Sequence, residues 1–76
     1  MFTIYTAPNC SFCRLAKSLL KYREYLEIIL DTPEKIAKFK GNTGFKTVPQ
    51  IYFEDHHIGG YAELVLYLNK SRKKEM

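Results

Sequence analysis

Seventy-six residues, 46% of them apolar, with six Tyr, five Phe and no Trp, suffice for one small globular domain and are too apolar for a disordered chain. A chain this short buries only about 60–65% of the surface it exposes when unfolded, so its core is small. The net charge of +4 comes from 12 Lys and Arg against 8 Asp and Glu; much of it lies in the stretch "NKSRKKEM" (residues 69–76), whose part over residues 70–76 reads as a solvated, frayed end rather than a nucleic-acid patch.

In chain order, "FTIYT" (residues 2–6) is β-branched and aromatic and predicts a strand. Ala7, Pro8 and Asn9 break it. From Ser11, the residues Phe12, Leu15, Ala16, Leu19, Leu20 and Tyr22 recur at helical spacing, which predicts a helix to about Arg23 or Glu24. "YLEIIL" (residues 25–30) predicts a second strand. "DTPEK" opens a second helix, with Asp31 or Thr32 as cap and Pro33 and Glu34 in the first turn. Gly41 and Asn42 supply its stop. The first three elements have the order of a βαβ unit, hence parallel strands and a right-handed crossover. The second half predicts a hairpin: a strand over Gln50–Glu54, a turn near Asp55 and His56, and a return over His57 and Ile58. Tyr61, Leu64, Val65 and Leu68 give one face of a last helix. The expected architecture is α/β, one domain over residues 1–76, with a four-stranded mixed sheet and three helices.

No run approaches the about 18 apolar residues of a membrane span. The start "MFTIYTAPNC" has no charged leader and no apolar signal core. The expected setting is the cytoplasm, where thiols are kept reduced, with no membrane or nucleic-acid partner.

In that setting "NCSFCRLAK" carries the chain's only cysteines, Cys10 and Cys13. A disulfide between them closes a tiny loop and stabilises little. Two cysteines cannot fill the four tetrahedral positions of a zinc ion. The only histidines, His56 and His57, are adjacent and point to opposite faces of an extended strand. A redox pair is the leading reading, and no metal site is expected. The thiolate is a cysteine's active species. Cys10 falls where the first helix begins, where the unpaired N–H groups of Phe12 and Cys13 and the aligned peptide dipoles favour S⁻. Cys10 is therefore the expected nucleophile and Cys13, about one turn on and deeper, the resolving thiol. Arg14 and Lys17 are near but read as weak contributors on an exposed face.

Two further stretches stand out. In "TVPQ", Pro49 opens a strand without a ladder donor. A cis Val48–Pro49 bond facing the cysteines would leave the Val48 backbone free to pair with an extended peptide or glutathione. In "GGYAE", Gly59 and Gly60 allow close backbone approach, the Ala62 and Glu63 N–H groups can hold a carboxylate, and Glu63 can accept from an ammonium. Tyr61 reads equally as core or as ligand wall.

Taken together, the CxxC near the start, "TVPQI" and "HIGGY" before the last helix resemble the glutaredoxin family, over about residues 1–69. The stretch "TVPQIYFEDHHIGGYAEL" is most similar to the small dithiol glutaredoxins of bacteria and their viruses. The resemblance implies a thioredoxin-like fold and a monomer. It implies glutathione-dependent reduction of protein disulfides and glutathione mixed disulfides, with glutathione as co-substrate, no tightly bound cofactor and disulfide-containing client proteins, ribonucleotide reductase among them. It maps the nucleophile to Cys10 and the resolving cysteine to Cys13. It places glutathione on Phe12, on the backbone of Thr47 and Val48, beside a cis Pro49, and with its γ-glutamyl end on Tyr61, Ala62 and Glu63.

Three departures from the family pattern bear on this. The commonest motif is CPYC, whereas this chain has CSFC. Phe12 thus lacks a hydroxyl, and Ser11 replaces a rigid proline, a change the family associates with members holding a [2Fe–2S] cluster between two protomers. Ala7 stands where a basic residue often meets the glycyl carboxylate of glutathione, so Arg14, Lys35 or Lys38 would have to supply the charge. Glu63 replaces the more usual Asp. A glutathione-ligated cluster-binding dimer and a redoxin recycled by thioredoxin reductase are the alternatives.

Overall fold

A computed structural model describes residues 1–74, with side chains as far as Lys70. The elements are β1 (Phe2–Thr6), α1 (Ser11–Leu19), β2 (Tyr25–Ile29), α2 (Pro33–Thr43), β3 (Gln50–Phe53), β4 (His56–Gly59) and α3 (Tyr61–Lys74). They build the expected mixed sheet, in the order β2-β1-β3-β4. β1 runs parallel to β2, from Phe2 opposite Tyr25 to Thr6 opposite Ile29. β3 runs antiparallel to both β1 and β4.

Strand alternation decides which face is the core. Phe2, Ile4 and Thr6 on β1 are buried. The apolar members of that face pack with Ala16 from α1, Leu20 just past its end, Ile51 from β3, and Leu64 and Leu68 from α3. The residues between, such as Tyr5, point to the opposite face, which α2 covers. There Tyr5 meets Phe39, ring centroids 4.8 Å apart, and Phe39 is the buried residue of α2.

The observed ends differ from the sequence expectations at several points. Helix α1 stops at Leu19, not near Arg23. Leu20 fills the core and its N–H bonds back to the Ala16 and Lys17 carbonyls, while Arg23 N–H bonds to Leu20 O at 2.9 Å, tightening the chain into turns. Tyr22, which continued the apolar periodicity, is 91% exposed. Past Leu20 the chain turns back to enter β2 at Tyr25, which packs against the core.

Helix α2 is capped by Thr32, whose hydroxyl accepts from Lys35 N–H at 3.2 Å. It passes through Gly41 and Asn42 and ends at Gly44, which takes the left-handed conformation (φ 77°) that a side chain would resist. The hairpin turn is Glu54 and Asp55, with Glu54 at φ 53°, so β4 begins at His56. Helix α3 continues through residues 70–74, where the sequence predicted a frayed tail; the rest of that tail lies outside the described residues. Among the described residues, no helix is long and apolar enough to cross a membrane.

Candidate redox site

Three connections converge at one end of the sheet: β1 to α1, α2 to β3, and β4 to α3. Cys10 is the N-cap of α1, in extended conformation (φ −109°, ψ 106°), and its sulfur accepts the Cys13 N–H at 3.1 Å. Of the two N–H groups expected there, Cys13's makes the bond. The first turn of α1 carries no acidic side chain to offset the positive end of the peptide dipoles. Both features favour negative charge on Cys10. The two cysteines form a disulfide, Cα atoms 5.2 Å apart, so the site stands in its oxidised form. Cys13 is 2% exposed, while Cys10 is half-buried. The sulfur an incoming group can reach is the one the helix start polarises.

The basic side chains nearest the cysteines, Lys17 and Arg14, have partners of their own. Lys17 Nζ lies 3.1 Å from the Glu27 carboxylate, which also accepts from the Thr6 hydroxyl at 2.7 Å. Burial pushes the Glu27 carboxyl up, but the Thr6 hydrogen bond and the Lys17 ammonium outweigh it and hold the group below its ordinary value. Arg14 reaches the Ser11 hydroxyl at 3.4 Å.

Opposite the disulfide, the Val48–Pro49 bond is cis. The Val48 carbonyl oxygen lies 3.9 Å from Cys10 Sγ. Phe12, Thr47, Val48, Pro49, Gly60, Tyr61 and Ala62 line one cleft of about 230 Å³. Phe12 is 60% exposed, and its ring faces that of Tyr61 with centroids 5.9 Å apart. Six of the seven residues singled out from sequence for ligand contact therefore share a wall, and Tyr61 is part of it as well as packing on the core.

Glu63 does not line that cleft. Its carboxylate accepts from Gly60 N–H at 2.8 Å, closing the first turn of α3. The side chain lies over Gly59 (φ +128°), where a Cβ would come within 2.8 Å of Glu63 Cβ and Cγ. Gly60, whose N–H the Glu63 carboxylate accepts, lines the cleft beside Tyr61 and Ala62.

The cations also differ from expectation. Lys35 pairs with Asp31 at 2.9 Å, holding the Asp31 carboxyl below its usual value. Lys35 and Lys38 line a cleft of about 620 Å³ beneath α2, with Tyr5 and Phe39. Lys40 and Lys46 instead line, with Ala7, Thr47 and Val48, a cleft of about 170 Å³ on the other side of the Val48 backbone. Sequence reasoning missed these two lysines, though Lys46 stands directly before Thr47. It also missed Gln50, a polar side chain buried beneath Thr47 and marked only by its place in an otherwise apolar strand.

Residues 2–58 match the family model described as Glutaredoxin. The chain belongs to the glutaredoxin family. It carries the dithiol Cys10–Cys13 pair, and its sheet and helices form the family's thioredoxin-like fold. It is 38% identical over 66 residues to the glutaredoxin of Neisseria meningitidis serogroup A, covering 82% of this chain and 78% of that protein. It is 40% identical over 67 residues to the hybrid peroxiredoxin hyPrx5 of Haemophilus influenzae, covering 86% of this chain and 28% of that longer protein. Among solved structures, glutaredoxin 1 from Francisella tularensis, complexed with cacodylate, superposes with a TM-score of 0.80 at 32% identity, covering 95% of each chain. Glutaredoxins are thiol–disulfide oxidoreductases, and the buried Cys13 beside an accessible Cys10 is the arrangement such exchange requires.

Proposed function

We propose that this glutaredoxin acts as a monomer in the cytoplasm, reducing glutathione mixed disulfides and protein disulfides with glutathione as co-substrate. The observation that carries the reading is the pairing of an accessible, helix-polarised Cys10 sulfur with a cleft that begins at the Val48 backbone 3.9 Å away. In the cleft, an extended γ-glutamyl tripeptide pairs with the Val48 backbone as an added strand. It rests against Phe12 and Tyr61 and directs its amino-acid end to the start of α3 at Ala62. Lys40 and Lys46, at the small cleft beside Ala7, supply the positive charge for its glycyl carboxylate.

Cys10 thiolate attacks the glutathione sulfur of a mixed disulfide. The old S–S bond breaks, the client sulfur leaves as a thiolate and takes a proton, and Cys10 is left bound to glutathione. A second glutathione thiolate attacks that bond, releasing oxidised glutathione and returning the Cys10 thiolate. With a protein disulfide, Cys10 first bonds to the client and Cys13 displaces it, forming the Cys10–Cys13 disulfide that two glutathiones then reduce. Ribonucleotide reductase is a client suggested by the family resemblance.

A coupled turnover assay on a disulfide substrate tests the reading, one arm with glutathione, glutathione reductase and NADPH, the other with thioredoxin reductase and NADPH. Turnover in the glutathione arm is expected. Turnover confined to the second arm overturns the glutathione contacts, and silence in both, with a coloured dimer after anaerobic loading with iron and glutathione, replaces the enzyme by a cluster carrier.

A further inference from the structure

The segment from Gly44 to Pro49 has no strand ladder or helix to fix it, yet it carries the Thr47 and Val48 backbone at the cleft. Gln50, 7% exposed, follows it on β3. Its Nε2 lies 3.1 Å from the Thr47 carbonyl oxygen and 3.2 Å from the Thr47 hydroxyl. A carbonyl only accepts, so the nitrogen end of the amide must face Thr47 and the oxygen end must face away. That oxygen, Oε1, lies 2.8 Å from His57 Nε2 on β4. An amide oxygen also only accepts, so His57 Nε2 carries the proton. The His57 ring is held in turn by stacking on Phe45, with centroids 4.4 Å apart and planes 17° from parallel. Strand β4 thus grips the segment twice, through the Phe45 stack and through a chain of donors and acceptors ending on Thr47.

We propose that His57 and Gln50 form a positioning relay that fixes the Thr47 carbonyl, and with it the Val48 backbone, so that they set the affinity of the cleft without setting the reactivity of Cys10. The proposal rests on the glutathione reading above. It separates two jobs: the start of α1 polarises the sulfur, and the β3–β4 hairpin places the binding edge.

Two variants divide the stack from the relay. His57→Phe keeps a ring against Phe45 and removes the Nε2 proton. His57→Gln removes the ring and returns an amide donor to the same reach. With a glutathionylated peptide as substrate, H57F raises KM about 3- to 10-fold, the range of one hydrogen bond, while kcat stays within about 2-fold. H57Q returns KM to within about 2-fold of the starting protein. Alkylation of reduced Cys10 by iodoacetamide keeps its rate in both. The backbone amide NMR signals of Thr47 and Val48 move in H57F and return in H57Q.

An unchanged KM in H57F overturns the relay. So does a KM that H57Q fails to restore, which would give the role to the Phe45 stack, and so does slowed alkylation, which would mean general damage to the site. If the unsubstituted protein does not turn over the glutathionylated peptide, the glutathione reading has failed, and the Thr47 and Val48 signals alone decide the relay.

Discussion

The two faces of the sheet are built differently. On one, Ile4, Ala16, Leu20, Ile51 and Leu64 are completely buried between the sheet and the helices α1 and α3. On the other, α2 contributes Phe39 to an aromatic cluster with Tyr5 and Phe45, and a cleft of about 620 Å³ remains beneath the helix. The redox site takes one part from each. Cys10 and Cys13 ride on α1, whose seating is dictated by close packing. Thr47, Val48 and Pro49 follow α2 and are held by hydrogen bonds and ring contacts. The molecule thus keeps its reactive sulfur on the rigidly packed side and its binding edge on the side with room to adjust.

The largest expected effect tests the first half of that division. Cys10→Ser should abolish turnover in the glutathione-coupled assay, and retained activity would remove the assigned nucleophile. Cys13→Ser should spare glutathione mixed disulfides and lose intramolecular protein disulfides, which a paired assay on the two substrate types separates. Next in size is the contrast in packing. Ile4→Ala on the closed face should cost about 2–5 kcal/mol in urea denaturation. Phe39→Ala should cost less than the about 3–5 kcal/mol of a fully enclosed ring, because the space beneath α2 is already open. Equal losses would break the comparison.

Smaller effects are read through pH. The Glu27 carboxyl is held below its ordinary value in the fold, against burial, by Thr6 and Lys17. Its contribution is therefore complete above the unfolded carboxylate range and is lost as pH falls through the lowered folded value. Glu27→Gln should cost about 1 kcal/mol at neutral pH and flatten the acid limb of the stability profile. Tyr52, beside Tyr5, behaves oppositely. Burial, then the Tyr5 phenolate, push its phenol above the ordinary value. Stability is intact below the unfolded tyrosine range, near pH 10, and declines as pH rises toward the raised folded value. Tyr52→Phe should soften the alkaline limb by less than about 1 kcal/mol. Thermal scans of both variants across pH check whether acid and alkali act at these separate sites.

Much of this was legible in the sequence because it depends on local pattern. The alternation in "FTIYT" announces a strand with one buried face, and "DTPEK" announces a capped helix start. The ends of both early helices were not legible. Leu20 and Tyr22 continue the same periodicity, and only the turn past Leu20 separates the buried residue from the exposed one. Gly41 and Gly44 look equivalent until the fold assigns the left-handed conformation to Gly44. At the site, Phe12, Thr47–Pro49, Tyr61 and Ala62 were found together because short motifs carry them. That the Glu63 side chain folds over Gly59 onto Gly60 N–H is a contact set by the turn's geometry, which the sequence does not show. The partnership of Gln50 with His57 depends on distances across a hairpin, which no spacing rule reports.

Strand β2 forms one border of the sheet, next to β1 and with its far side unpaired. Leu26 and Ile29 are exposed there, and an open border with apolar side chains is a template on which another chain can lay a strand. Glu27 stands in the middle of that border, its charge fixed in place by Thr6 and Lys17. The contacts that tie β1, α1 and β2 together at Glu27 thus also set a charged pair in the middle of the sheet's open border, between its two exposed apolar side chains.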